Sequence, residues 1–186
     1  MAVKTMAKNT GTGQYNAGWH ELTISKATDG KWGDKRTIDL NFEGYPDNMR
    51  HRVFEASNKT TGEEFKIANL FRFACAGIIS VLNDPTGKNP VIQYDDEVTN
   101  LVGTRVNVLF VKEASTTDGK EYSRTFDLVP VAQETEHITW TADDVERLKK
   151  SVERQHAKKN AVTTNGIGTV TVDTTTSSTG DVEIPF

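Results

Sequence analysis

The sequence predicts a mainly β fold: five strands, one helix between the third and fourth, and a second helix near the C-terminus. Three observations carry this. Five segments alternate apolar and polar residues with the period of two that a half-buried strand requires. One segment between the third and fourth switches to helical spacing. Turn residues at Asp29-Gly30, Gly33-Asp34 and Asp118-Gly119 punctuate the strands.

Residues 1–14 are small and polar and read as a flexible N-terminus. From Gly18, "WHELTISKA" puts His20, Leu22, Ile24 and Lys26 on one side and Trp19, Glu21, Thr23 and Ser25 on the other. "RTIDLNFEG" sets Ile38, Leu40 and Phe42 against Asp39, Asn41 and Glu43, so the two runs form a hairpin with a long tip over 27–36. "RHRVFEA" is the third strand. Thr61 to Glu64 fits a capping box, followed by Ile67, Leu70, Phe71, Ala74 and Cys75 on an apolar helix face, with Gly77 as the stop. "IISVL" extends the apolar run as helix or strand, "NDPTGKNP" reads as a loop, and "DDEVTNL" as a short helical turn. "TRVNVLFVK" and "EYSRTFDLVPV" are the last two strands, joined by a polar tip over 112–122. Thr141 and Asp144 then cap a mostly charged helix to about His156, with Val145, Leu148 and Val152 as its apolar stripe.

Three strands, a helix and two strands is the element order of the OB-fold, a five-stranded Greek-key barrel with its helix between strands 3 and 4. The two polar tips coincide with that fold's two binding loops. The expected organisation is a flexible segment over 1–14, the OB-fold domain over 15–132, a linker and amphipathic helix over 133–158, and a disordered acidic tail over 159–186. That tail is too poor in apolar area to offset its ordering entropy.

Composition limits the function. The net charge is -4, with 35% apolar and 26% charged residues. Residues 161–186 carry Asp173, Asp181 and Glu183 and no Lys or Arg, so residues 1–160 hold 22 basic against 23 acidic side chains. A polyanion would therefore need cations gathered on one face. The single cysteine, Cys75, excludes an internal disulfide and a cysteine-based zinc cage. No run is long enough to span a bilayer, and the N-terminus lacks the apolar core of a secretory signal; an intracellular protein with no membrane partner is expected.

Basic and aromatic residues gather in three places. Trp32, in a polar turn beside Lys31, Lys35 and Arg36, offers a flat π-surface among cations, which suits an unstacked base; alternatively it plugs the barrel mouth. On the third strand Arg50, Arg52 and Phe54 share a face, either as a backbone-tracking groove or as a solvated strand with Phe54 in the core. The second tip adds Lys112 and Lys120, with Tyr122 and Arg124 alternating on one face; Tyr122 could equally pack on its own hairpin. Trp19 is a further candidate, or a seal on the barrel edge. The four histidines show no metal-ligand spacing, no nucleophile sits with a base, and no cofactor is expected. Asp95, Asp96 and Glu97 read as a helix N-terminus, with Mg²⁺ binding in a nuclease the alternative.

The chain ends "DVEIPF". This resembles the acidic tip of bacterial single-stranded DNA-binding proteins, typically Asp-Asp-Asp-Ile-Pro-Phe: Asp181, Ile184, Pro185 and Phe186 match, and Glu183 keeps the charge. Residues 101–124 and the hairpin over 18–43 are similar to the OB-fold single-stranded DNA-binding proteins of tailed bacteriophages. The resemblance implies a non-enzymatic protein in the cytoplasm of a bacterial host cell. It would protect single-stranded DNA and recruit replication, recombination and repair proteins through the tip; a homodimer is left open. Its rivals are an OB-fold adaptor whose tail is the main binding element and an RNA-binding OB protein.

Overall fold

The computed structural model describes residues 15–83, 90–115, 117 and 119–164. Mainly β, it has one large antiparallel sheet and two helices. The sheet contains β1 (Gly18–Trp32), β2 (Lys35–Phe42), β3 (Arg50–Phe54), β6 (Arg105–Ala114) and β7 (Glu121–Pro130). Between β3 and β6 the chain forms α1 (Lys66–Ala74), a hairpin of β4 (Ile78–Asn83) and β5 (Pro90–Tyr94), and a single 3-10 turn at Val98–Leu101. After β7 come the two-residue strands β8 (Gln133–Glu134) and β9 (Thr139–Trp140), then α2 (Ala142–Thr164).

The sheet order is β3-β2-β1-β6-β7. Each hydrogen-bonded pair is antiparallel, so the edge strands β3 and β7 run parallel to each other. They approach without a ladder among the described residues: the Thr125 hydroxyl donates to the Arg50 carbonyl at 3.2 Å. The expected closed barrel is therefore corrected to a curved sheet whose two edges meet at a side-chain bridge.

β1 changes partner along its length. Residues 18–23 pair with β6 and residues 24–32 with β2, and the register slips between Ile24 and Lys26. This bulge reverses the alternation read from sequence. Leu22 and Ile24 stay in the core, but Lys26 moves to the outer face opposite Asn41, and Ala27 turns inward opposite Leu40.

The first tip is also corrected. The two strands stay paired to Trp32 and Lys35, and only Gly33 and Asp34 form the turn, with Gly33 at φ 60. Asp29 is no turn residue: it accepts from Arg36 across the ribbon at 2.7–3.1 Å.

The inner face of the sheet and α1 enclose the main core, where Phe42, Phe71, Phe110, Ile24, Ile38, Leu40 and Leu70 are fully buried. Each such side chain contributes roughly 1.5–3 kcal/mol. α1 starts later than the sequence pattern implies, at Lys66. Glu64 still caps it, accepting from the Ile67 and Ala68 amides at 2.7 and 3.0 Å, but from a position before the helix. Cys75 is not on the helix's core face; it ends the helix in the left-handed region, φ 50, and is half-buried.

"IISVL" is strand β4, and the hairpin it makes with β5 exposes Ile79, Leu82 and Val91. Residues 84–89 of the expected loop lie outside the described residues. α2 covers the outer face of β6 and β7 with Leu148 and Val152 against Leu109, Val111 and Val129, making a second, smaller core; Val145, also on the stripe, is buried. Thr141 and Asp144 form the expected capping box. The helix continues to Thr164, so the disorder expected from residue 159 does not begin there; residues 165–186, like 1–14, lie outside the described residues. No helix among the described residues is long and apolar enough to cross a membrane.

Gly77, at φ 61, is where the chain turns from α1 into β4. A Cβ there would stand 2.3 Å from the Asp95 carbonyl oxygen, whereas one at Gly103, φ 83, would meet nothing within 4 Å. In urea unfolding, Gly103→Ala is expected to lose roughly 1–3 kcal/mol from backbone strain alone. Gly77→Ala adds a backbone collision and should lose distinctly more; equal losses would contradict the tight packing of Gly77 on Asp95.

Candidate functional site

Directly paired residues of an antiparallel ladder share a face. The β1–β2–β3 registers therefore lay out the outer face row by row: Lys26, Asn41 and Arg50; Thr28, Asp39 and Arg52; Gly30, Thr37 and Phe54; then Trp32 and Lys35. Five of the residues singled out in the sequence, Trp32, Lys35, Arg50, Arg52 and Phe54, thus come together on one surface. Lys26 joins them; nothing local marks it, because the bulge that turns it outward leaves no signature in the residues around it.

Trp32 heads this surface and is 65% exposed, so it is not a barrel plug. The Arg52 guanidinium carbon lies 6.0 Å from its ring centroid, at the outer limit of a cation–π contact. Phe54 is 42% exposed, so it is no core residue, while His51 and Val53 face inward as the alternation predicted. Asp39 organises the arginines: it accepts from Arg52 Nε at 2.5 Å and Nη2 at 2.7 Å and lies 3.3 Å from Arg50 Nη1. The hydrogen bonds from Arg52 are the main reason its carboxyl is held below the usual carboxylate range.

Where β3 and β7 meet, the surface dips into a cleft of about 390 Å³. Arg50 and Arg52 form one wall, Arg124 and Phe126 the other, with His51 among the lining residues. Arg124 reaches Glu113 at 3.6 Å; both side chains are solvent-accessible, so the pair holds the arginine only weakly. Tyr122 lies one step along the same outer face and is 38% exposed.

The other predicted residues are placed elsewhere. Arg36 and Lys31 pair across the opposite face of the ribbon. Arg36 is an internal strut there, bonded to Asp29, to the Asp96 carboxylate and, at 3.2 Å, to the Asp96 carbonyl; its pKa is raised chiefly by Asp29. Lys112 pairs with Ser123 on the inward-facing side of β6 and β7, and Lys120 closes their tip. That tip extends beyond the Gly18 end of β1, whereas Trp32 is at the other end, so the two tips flank the outer face without converging. Trp19 lies under α2, its Nε1 donating to Glu153 at 2.8 Å and Lys149 5.9 Å from its ring; it belongs to the second core. Asp181, Glu183, Ile184, Pro185 and Phe186 lie outside the described residues.

Asp95 serves local structure: its Oδ1 accepts from the Glu97 amide at 3.1 Å. Among the described residues no three His, Cys, Asp or Glu side chains cluster as metal ligands.

Beneath the cleft, burial lowers the His51 pKa from 6.5 to about 4, opposed by the charges of Asp127 and Asp39 and assisted by Lys66. The folded pKa is below the unfolded one, so this group's contribution is complete above about pH 6.5 and is lost as pH falls toward about 4. Lowering the pH from about 7 to about 5 should remove roughly 2 kcal/mol of stability through this one group. The check is urea unfolding at both values with His51→Gln as reference: the variant should lose markedly less on acidification, and an identical loss would remove His51 as the cause.

Compared with known proteins, the chain matches no family model and no curated protein.

Proposed function

We propose that this protein binds single-stranded DNA without catalysing a reaction on it, holding the strand across the outer face of β1–β3 and through the cleft between β3 and β7. The observation that carries the reading is Trp32: a large aromatic, 65% exposed, at the head of a paired ribbon and on the same face as Lys26, Lys35, Arg50 and Arg52. Stacking of a base on such a ring is worth roughly 1–3 kcal/mol and is tolerant of sequence. The cations supply phosphate contacts, and a cleft walled by three arginines beside an exposed ring suits a single strand with unpaired bases better than a duplex, whose bases are already stacked on one another.

The strand order supports an OB-type Greek-key arrangement. β3 and β7 are parallel edges meeting at Thr125 and Arg50, with α1 between the third and fourth sheet strands. The β4–β5 hairpin is then an insertion after that helix. The resemblance of "DVEIPF" supports a second role for the chain end, recruitment of replication, recombination and repair proteins in a bacterial host. Burying Ile184 and Phe186 would give roughly 1.5–3 kcal/mol each, enough only for weak, exchangeable docking after association costs.

Tryptophan fluorescence during titration with poly-dT tests this directly. Trp140 is 7% exposed and Trp19 lies under α2, so quenching would come chiefly from Trp32. Strong quenching is expected, with log K falling against log salt at a slope near -3 if about four phosphates are neutralised. Trp32→Ala should weaken binding by about 5- to 150-fold, the equivalent of one stacked base. Undiminished affinity in that variant, or no binding by the wild type, would overturn the reading. Tighter binding of a matched RNA oligomer would replace DNA with RNA.

A further inference from the structure

We infer that the hairpin of β4 and β5 is a contact between two copies of this chain, in which the open edge of β4 pairs antiparallel with the same edge of a second copy. The hairpin is a two-stranded sheet of its own, separate from the large sheet, so among the described residues each of its strands has one edge without a ladder. It is fixed to the body at its base. There the Tyr94 ring lies 5.3 Å from that of Phe71, and the Asp95 amide donates to the Gly77 carbonyl at 2.8 Å. Further out the strands pair with each other, Ser80 with Gln93, Val81 with Ile92 and Leu82 with Val91.

What this ribbon leaves open is apolar. Ile79 is 61% exposed, Val91 51%, Leu82 47% and Val81 37%. Leu82 and Val91 are directly paired and share one face, while Val81 lies on the other, so apolar groups meet water on both sides. A two-stranded ribbon is marginally stable at best in water, and further strands are what stabilise it.

The chemistry of the edge selects a second copy as the occupant. β4 and β5 contain no charged side chain, in a chain of which 26% is charged. Exposed edges are ordinarily guarded against pairing by charges, above all Lys, and this one has none. A nucleic-acid strand would find no cation there, and a charged peptide no countercharge. A neutral apolar strand matches a neutral apolar strand, and every molecule of the protein brings an identical one. The two edges are not equivalent. β5 opens on Pro90, which has no N–H to give to a ladder, whereas β4 offers Ser80 to Asn83 with no proline. The register break between Ile78 and Ser80 ends the pairable stretch on the side of the body. Pairing of β4 with its copy about a twofold axis gives a four-stranded sheet, β5-β4-β4-β5, in which each contact is made twice. The contact is much smaller than a standard interface of roughly 20–30 residues a side, so the dimer is weak, with a dissociation constant on the order of 10–100 μM.

The test is sedimentation velocity of the full chain from about 2 to about 200 μM, a range that brackets such a weak dimer. The weight-average mass should climb from 20.6 kDa toward twice that value. In the I79T/L82T variant both replaced side chains are exposed in the monomer, and threonine keeps the strand preference, so the fold should be retained by circular dichroism. Its dissociation constant should rise on the order of tenfold or more. Hydrogen exchange of the wild type at the two ends of the range should slow at high concentration in peptides covering β4. A wild type that stays at 20.6 kDa throughout would overturn the inference. So would a dimer that I79T/L82T leaves unchanged, or one whose slowed amides lie away from β4. A monomeric wild type whose poly-dT affinity falls in I79T/L82T would also overturn it, giving the hairpin to nucleic acid instead.

Discussion

The bulge between Ile24 and Lys26 is the constraint from which the rest of the sheet follows. β1 must serve two partners, β6 along residues 18–23 and β2 along residues 24–32. A straight, regularly alternating strand of this length would carry Lys26 into the core beneath Ile24. The extra residue bends the strand and resets its faces. The point of change is held from outside, since the Ile24 amide donates to the Thr104 carbonyl at 2.9 Å and its own carbonyl accepts from Gly103 at 2.8 Å. With β1 bent there, the two halves of the sheet curl toward each other, and the edges β3 and β7 approach closely enough for Thr125 to reach Arg50. The cleft is the remaining gap.

Asp39 decides how the cations of that face behave. A carboxylate bonded to two arginines would seem to neutralise a phosphate site. Its geometry argues otherwise. Arg52 spends Nε and one Nη2 proton on Asp39, and guanidinium has five N–H donors in a fixed fork. The remaining donors are aimed by the bond instead of consumed by it. Arg50 touches Asp39 only at 3.3 Å and is 52% exposed, so it keeps most of its freedom. The arrangement gives up part of the face's net charge and in return orders its arginines before any ligand arrives.

The sequence made part of this legible. The faces of β2 and β3 could be read residue by residue, because period-two alternation is a direct consequence of strand geometry and nothing interrupts it there. The capping box of α2 and its three apolar anchors were equally plain. What could not be read depends on contacts distant in sequence. The bulge in β1 has no composition signal of its own. Asp29-Gly30 and Gly33-Asp34 are both good turn pairs, and only the ladder with β2 selects the second. Trp19 was placed correctly on the outer side of β1, but that α2 would fold back over it is a tertiary fact spanning 134 residues. The same holds for Phe126, which lines the cleft and also packs in the second core under a helix that begins after the sheet is complete.

The three tryptophans show how pairing shapes the candidate site. Trp19 and Trp140 have their indole N–H groups satisfied, by Glu153 and by the Arg72 carbonyl, and each is covered by neighbouring elements. Trp32 is not covered, and it would be a liability if it hung from a ten-residue loop. Ordering such a loop on binding would cost about 1–2 kcal/mol per residue and would erase the gain from one stacked base. The ladder from Lys26 to Trp32 has met that cost during folding. The backbone that carries the ring is therefore ordered before any ligand arrives, and the stacking energy of a base remains available to affinity.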